Sequence, residues 1–187
     1  IGVQTFIRVG STGGIQKGQN IGDLVISTGA VRLEGTSKDF VIAEYPAVAN
    51  YEVVMALIEA GEELKIRYHL GITASTDTFY TGQGRPAYEN FFPSFKEDIF
   101  RDMQAAGVLN FEMEAATLFT LASIFGKRAG AICCIVANRL TDKFEINDEM
   151  QKRAGLVASR AVAILHEWDK KKAKHSAAHL YPALLSR

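Results

Sequence analysis

Short apolar, β-branched runs alternate along the chain with stretches of helical periodicity. The apolar runs predict strands over residues 5–9, 23–27, 68–73, 108–112 and 129–136. The periodic stretches predict helices over residues 51–64, 94–106, 115–125 and 148–168. Such alternation is typical of an α/β domain, so we expect a mixed, largely buried central sheet flanked by helices.

Polar segments follow four of the predicted strands. Because ligands of α/β sheets collect at the carboxyl ends of the strands, the order along the chain predicts that the loops after these strands form the functional region. The loops follow Val9, Thr73, Asn110 and Val136. Each of them contains polar side chains that a plain connection does not need.

The composition limits the domain organisation. A chain of 187 residues that is 48% hydrophobic can bury one core of ordinary size. We expect one domain over residues 1–169, followed by a basic, solvated and poorly specified tail over residues 170–187. The first residues already resemble the approach to a buried strand, so we also expect further chain in front of Ile1.

The charges restrict the class of partner. The 21 basic and 21 acidic residues balance, which removes the electrostatic argument for nucleic acid or a membrane surface and favours a small molecule or a protein. The chain has no signal-peptide pattern and no apolar run of about 18 residues, so we expect no membrane-spanning role. Cys133 and Cys134 lack zinc-site spacing, and we expect small buried hydrophobes in a reducing cytoplasm.

The segment Asn110-Phe-Glu-Met-Glu-Ala-Ala116 carries two carboxylates. Glu112 and Glu114 are two residues apart, so at a strand end they project to one side and can grip a polar ligand, while Met113 faces away or caps the pocket. Alternatively, both carboxylates lie in the first turn of a helix that begins near Ala115, where negative charge complements the helix dipole. The pattern alone leaves both interpretations open.

The segment Arg8-Val-Gly-Ser-Thr-Gly-Gly-Ile15 is rich in glycine. Its backbone N–H groups can approach an anion such as phosphate, and Ser11 and Thr12 add hydroxyl donors. It matches neither the P-loop nor the dinucleotide fingerprint, and a plain tight turn is the alternative. Arg8 favours the anion site, because an arginine in an apolar strand requires an anionic partner.

The segment Ser75-Thr-Asp-Thr-Phe-Tyr-Thr-Gly-Gln-Gly-Arg85 offers the groups that hold a flat heterocycle. Phe79 can stack on a ring, Gln83 can accept from a ring N–H and donate to a neighbouring carbonyl, and Arg85 can donate to a carbonyl oxygen. A pyrimidine-2,4-dione presents the complementary edge. The alternative is a solvated surface loop.

A second arginine, Arg139, stands at the end of the last predicted strand in Val136-Ala-Asn-Arg-Leu-Thr-Asp142. It can contribute a further donor to the functional region. The alternative is a helix cap or a surface ion pair.

Together these segments resemble the bacterial-type uridine phosphorylases of the nucleoside phosphorylase superfamily. The resemblance covers about residues 1–168 and rests on four motifs in the same order and spacing: Ile7-Arg-Val-Gly-Ser-Thr-Gly-Gly-Ile-Gln16, Asp77-Thr-Phe-Tyr-Thr-Gly-Gln-Gly-Arg85, Asn110-Phe-Glu-Met-Glu-Ala-Ala116 and Val136-Ala-Asn-Arg139. It implies a three-layer sandwich shortened at its N terminus. It also implies phosphate-dependent cleavage of uridine into uracil and ribose 1-phosphate, with inorganic phosphate as co-substrate and without a metal or cofactor.

The resemblance also implies a role for each matching residue. Phosphate would be held by Arg8 and Ser11. The ribose site would comprise Ser11, Glu112, Met113 and Glu114. The base site would comprise Phe79, Gln83, Arg85 and Arg139. The residues expected to carry catalysis are Arg8, Glu114, Gln83 and Arg85.

Two departures from the family pattern leave alternatives open. Purine-cleaving relatives tend to carry an aspartate where this chain has Asn138-Arg139, which favours a pyrimidine. The front segment of the family, with its Gly-Asp-Pro phosphate loop, has no counterpart here. The alternatives are a nucleosidase that uses water, or a truncated, non-catalytic paralogue that binds nucleoside. The family also implies a homo-oligomer, a hexamer built from dimers.

Overall fold

A computed structural model describes residues 2–186, which form seven strands and five α-helices. The strands are β1 (Thr5–Gly14), β2 (Leu24–Arg32), β3 (Ala47–Val48), β4 (Tyr68–Ser75), β5 (Asn110–Glu112), β6 (Arg128–Asn138) and β7 (Lys143–Phe144). The helices are α1 (Tyr51–Glu63), α2 (Ile99–Ala105), α3 (Ala115–Ile124), α4 (Asp148–Lys174) and α5 (Pro182–Leu185). The described part of the chain contains no helix long and apolar enough to cross a membrane.

The strands form one mixed sheet in the order β3-β2-β4-β5-β1-β6-β7. Strands β2, β4 and β5 are parallel to one another, and so are β1 and β6, but the two sets run in opposite directions. The predicted mixed sheet with flanking helices is confirmed. The sequence did not predict that β2 also pairs with β6, through residues 24–26 and 132–134, so that the sheet closes on itself.

The main core lies between the sheet and its helices. Helices α1 and α4 pack against each other and against β6, and α3 packs against β2 and β6. Helix α1 begins at a polar cap, because the side chain of Asn50 accepts from the N–H groups of Glu52 and Val53. The apolar face beyond that cap includes Val53 and Leu57, which are fully buried. The site is therefore built on a packed scaffold.

Strand β1 is longer than predicted. The glycine-rich residues after Val9 were expected to form a loop, but they continue the strand to Gly14. Gly10 pairs with Cys133, and Gly14 pairs with Asn138, across one irregularity between Thr12 and Gly13. The prediction of a loop here is wrong, because pairing with β6 holds an extended conformation that the local sequence does not favour.

The C-terminal region also differs from the prediction. Helix α4 continues past residue 168 to Lys174, and the chain then returns so that Leu180 and Leu184 are buried in the main core. The amino group of Lys172 donates to both carboxylate oxygens of Glu52, at 2.8 and 2.6 Å. The expectation of a solvated tail is therefore wrong for these residues, because the basic run has an acidic partner on α1.

The helix predicted over residues 94–106 is divided. A 3₁₀ turn at Ser94–Lys96 precedes α2, which begins only at Ile99. Strands β4, β5 and β6 and helix α3 begin and end within two residues of their predicted bounds.

Candidate active site

Eight of the nine residues expected to form the site line a single cavity of about 170 Å³. They are Arg8, Ser11, Phe79, Gln83, Arg85, Glu112, Met113 and Glu114. The ninth, Arg139, lines an adjoining cavity of about 250 Å³ that it shares with Arg85. Three segments far apart in sequence therefore converge on one place.

The strand directions modify the prediction that the site lies in the loops after the strands. Strands β4 and β5 run against β1, so their carboxyl ends at Ser75 and Glu112 do not meet the end of β1. They lie instead beside the C-terminal half of β1, where Gly13 pairs with Phe111, and the side chain of Arg8 reaches Glu112 from the same strand. The segment after Val9 therefore lines the site as expected, through Ser11, Thr12 and Gly13, but it does so as part of β1 and not as a loop.

The two carboxylates of the first motif have different environments. The side chain of Glu112 is fully buried, and its oxygens accept from the hydroxyl of Ser75 and from the N–H groups of Glu114 and Ala115 at 2.9 Å. Glu112 therefore caps the start of α3, where the helix dipole favours negative charge. The side chain of Glu114 is 61% exposed and faces the cavity.

Arg8 is surrounded by acceptors. Its Nε lies 3.1 Å from an oxygen of Glu112 and donates to Glu114 at 2.9 Å, while Nη2 also donates to Glu114. Its Nη1 donates to the sulfur of Cys133 at 2.8 Å. Burial by itself lowers the pKa of Arg8, but the neighbouring Cys133, Glu112 and Glu114 more than offset this and raise it. The guanidinium is thus a firmly held cation.

The segment after β4 forms the opposite end of the cavity. A short 3₁₀ turn, Thr81–Gln83, is closed by Gly84 in the left-handed conformation, with φ of 69°. This turn buries Gln83 to 3% exposure, and its side chain lines the cavity. The Nε of Arg85 is buried and has no hydrogen-bond partner among residues 2–186, and its guanidinium lies 4.6 Å from the centre of the Phe79 ring. Buried polar groups of this kind normally have partners, so this end is suited to a polar ligand.

Arg139, which directly follows β6, supports the same end. Its Nη1 donates to the backbone oxygen of Gln83 at 3.0 Å, and its guanidinium lies 5.0 Å from the centre of the Phe100 ring. Burial, with a further contribution from the positive charge of Arg85, lowers the pKa of Arg139 to about 10, although Asp142 opposes the shift. Two neighbouring cations therefore raise the positive potential at this end.

A buried chain of polar side chains joins the strands behind the cavity. Thr73 donates to the oxygen of Asn110 at 2.6 Å, and the amide of Asn110 donates to the hydroxyl of Thr12 at 2.7 Å. Thr12 in turn donates to the backbone oxygen of Phe111 at 2.6 Å. These bonds fix the short strand β5, and hence Glu112, against β4 and β1.

Three of the residues that shape the site had no predicted role in it: Ser75, Asn110 and Cys133. Ser75 and Asn110 were noted only as members of motifs, and Cys133 only as a small hydrophobe. Their contacts join residues 37 to 125 positions apart, so no local pattern could reveal them. Among residues 2–186, no group of three or more His, Cys, Asp or Glu side chains has the arrangement of a metal site.

The fold and this cavity define the class of protein. The chain belongs to the phosphorylase superfamily, whose sequence profile matches residues 1–167. It is 62% identical to a uridine phosphorylase of Thermococcus kodakarensis, over 92% of this chain and 61% of the relative.

More distant relatives agree with this membership. The chain is 40% identical to a uridine phosphorylase of Escherichia coli, over 89% of this chain and 65% of the relative. It is 36% identical to a guanosine phosphorylase of Halorubrum lacusprofundi, over 88% of this chain and 64% of the relative. The chain thus spans somewhat less than two thirds of the length of these relatives.

Proposed function

We propose that this chain carries out the phosphate-dependent cleavage of uridine into uracil and ribose 1-phosphate. The relatives named uridine phosphorylase support the reaction, and the 62% identity to one of them supports the substrate. The single observation that carries the proposal is the buried Nε of Arg85, which has no hydrogen-bond partner among residues 2–186 and belongs to the cavity that Phe79 and Gln83 also line. These three groups match the polar edge and the flat face of uracil.

The base is recognised by complementary hydrogen bonds. The amide oxygen of Gln83 accepts from the N3–H of uracil, and its NH₂ group donates to a neighbouring carbonyl. Arg85 donates to a ring oxygen, and Arg139 adds positive charge from the adjoining cavity on the O4 side. A site built around such hydrogen bonds discriminates against bases that leave its buried groups unpaired.

The sugar is held at the carboxylate end of the cavity. Glu114 accepts from the ribose hydroxyls, and Met113, with Ser11 opposite, encloses the ring. As the glycosidic bond breaks, the sugar gains positive charge, which the carboxylate of Glu114 stabilises. Glu112 contributes through the position of its neighbours, since its own oxygens are occupied by Ser75 and backbone donors.

Phosphate is the co-substrate and needs no further cofactor. Arg8 and Ser11 hold it on the face of the sugar opposite to the base. A phosphate oxygen forms the new bond to C1′ while the C1′–N1 bond breaks, and the electron pair of that bond leaves with the base. Uracil thus departs as an anion, which Gln83 and Arg85 stabilise with donors already in place, before it gains a proton.

The test measures release of uracil from uridine with and without inorganic phosphate, for the chain and for Gln83→Ala. We expect release only with phosphate, and a loss of about 10²- to 10³-fold in kcat/KM for Gln83→Ala, as found when one preorganised donor is removed from other enzymes. Gln151→Ala, at an exposed position on α4, is the matched control and should retain full activity.

Other outcomes separate the alternatives. Release that does not depend on phosphate would contradict the proposal in favour of a nucleosidase. Binding of uridine without release would favour a non-catalytic nucleoside-binding chain. Equal activity of Gln83→Ala and Gln151→Ala would overturn the assignment of the base site.

We further propose that the chain acts in the cytoplasm as a homo-oligomer built from dimers. Two buried free cysteines support a reducing compartment, and the family resemblance supports the assembly. Light scattering at several protein concentrations tests the assembly, and a monomer at all of them would contradict it.

A further inference from the structure

Cys133 is a buried group next to the site that the proposed reaction does not use. It lies in β6 with no exposed surface and pairs with Gly10 of β1. Its sulfur is 2.8 Å from Nη1 of Arg8. Arg8, which is proposed to hold phosphate, is therefore in direct contact with a thiol.

The register of the two strands explains this contact. Residues two apart on a strand point to the same face, so Arg8 and Gly10 share a face, and Cys133, as the partner of Gly10, shares it too. A Cβ atom on Gly10 would overlap Nη1 of Arg8. The missing side chain at Gly10 is thus the gap through which the guanidinium crosses from β1 to β6.

We propose that Cys133 is a positioning residue that orients the guanidinium of Arg8 for phosphate. Glu112 and Glu114 hold the Nε and Nη2 edge, and Cys133 holds one N–H of Nη1. The remaining N–H groups of Nη1 and Nη2 are then directed into the cavity, where they meet a phosphate oxygen. This inference rests on the proposed function.

A neutral acceptor is required at this position. Two carboxylates already face the single positive charge of Arg8, so a third negative group would repel phosphate. Burial raises the pKa of the Cys133 thiol to about 12, although the positive charge of Arg8 opposes the shift. The thiol is therefore protonated at neutral pH and holds Arg8 without adding charge.

Cys134 provides a matched comparison. It is equally buried and adjacent in sequence, but it faces the opposite side of β6 and belongs to the apolar core. Its sulfur has only a distant contact of 3.9 Å with the backbone oxygen of Ile135. Both side chains are fully buried, but only Cys133 contacts Arg8.

The experiment compares Cys133→Ala, Cys133→Ser and Cys134→Ala. We expect Cys133→Ala to raise the KM for phosphate about tenfold, the lower limit for a hydrogen bond to a charged group, with a smaller change in the KM for uridine. Cys133→Ser, which restores an acceptor, should recover most of the loss. Cys134→Ala should leave both constants within about twofold of the starting values. Thermal unfolding of each variant checks that it folds.

A second measurement does not depend on catalysis. The ¹⁵N–¹H signals of the Arg8 guanidinium, assigned by comparison with Arg8→Lys, should show restricted rotation and slow exchange in the starting chain and in Cys134→Ala. In Cys133→Ala the Arg8 signals should show neither restricted rotation nor slow exchange. If uridine is not cleaved at all, the proposed function fails while these signals still test the contact. Equal phosphate KM values and equal Arg8 signals in the two alanine variants would overturn the inference.

Discussion

At the scale of single residues, Glu112 and Glu114 illustrate what chemistry alone can predict. Their spacing indicated a pair of carboxylates in a common role, either as ligand groups or at the start of a helix. The structure divides the two roles, because Glu112 is buried against Ser75 and the start of α3 while Glu114 faces the cavity. The difference depends on β4, which supplies Ser75 from 37 residues away.

Because Glu112 and Glu114 have different environments, the same change to glutamine should mainly affect stability at Glu112 and activity at Glu114. Glu112→Gln replaces a buried acceptor of two backbone N–H groups and one hydroxyl, so it should lower the free energy of unfolding by about 2 kcal/mol. Glu114→Gln should leave stability nearly unchanged and lower kcat/KM for uridine. Urea unfolding and steady-state kinetics on both variants check this. A stability loss in Glu114→Gln as large as that in Glu112→Gln would contradict the division.

At the scale of elements, glycines decide how closely helices and strands approach. A Cβ on Gly130 of β6 would overlap Cγ1 of Val53 on α1, whereas a Cβ on Gly155 of α4 would have no atom within 4 Å. The first glycine is required for packing, and the second is an interior helix glycine without a packing role. The two look alike in the sequence.

Replacement of each glycine by alanine tests whether Gly130, and not Gly155, is required for packing. Gly155→Ala should raise the free energy of unfolding by about 0.5–1 kcal/mol, because alanine loses less conformational entropy in a helix. Gly130→Ala should lower it by about 1–3 kcal/mol through overpacking. Both are measured by chemical denaturation, and equal signs for the two changes would refute the assignment.

At the scale of the whole molecule, the C-terminal return completes the core. Leu184 is fully buried, and the N–H of Leu180 donates to the hydroxyl of Tyr51 at 3.0 Å. The segment that the sequence indicated as a tail therefore covers the helices α1 and α4. Its contribution should be visible in the stability of the entire chain.

Leu184→Ala is expected to lower the free energy of unfolding by about 2–5 kcal/mol, as for other buried leucines. Leu156→Ala is the control, because that side chain on α4 is 58% exposed and its loss should cost less than about 0.5 kcal/mol. The measurement is thermal and urea unfolding. Equally small decreases in the free energy of unfolding of both variants would support the expectation of a solvated tail.

The same region predicts a dependence of stability on pH. Burial alone would raise the pKa of Glu52, but hydrogen bonds from Lys172 and Arg128 outweigh it and lower the pKa. Hydrogen bonds from Arg128 likewise lower the pKa of Asp169. Because these pKa values are depressed in the folded state, the stabilisation is complete above the ordinary carboxyl range, near pH 4, and is lost as the pH falls through the folded-state values.

Glu52→Gln should therefore be less stable than the starting chain at pH 7, and the difference should shrink as the pH falls below about 4. Urea unfolding from pH 7 down to pH 3 measures it. Glu59→Gln, on the same helix but without a depressed pKa, is the control. A constant difference across this range would show that the network does not contribute through charge.

Local pattern was sufficient for the mixed α/β class, for most strands and helices, and for choosing nine candidate residues of which eight line one cavity. This is because side-chain period and residue chemistry are properties of short segments. The extension of β1 through Gly14, the burial of Leu184 and the contact of Arg8 with Cys133 were not predictable in this way. Each depends on residues brought together from distant positions, where pairing and burial outweigh local preference. The antiparallel pairing of β1 with β5 placed the site along the C-terminal half of β1, since strand direction is decided by the packing of the whole sheet.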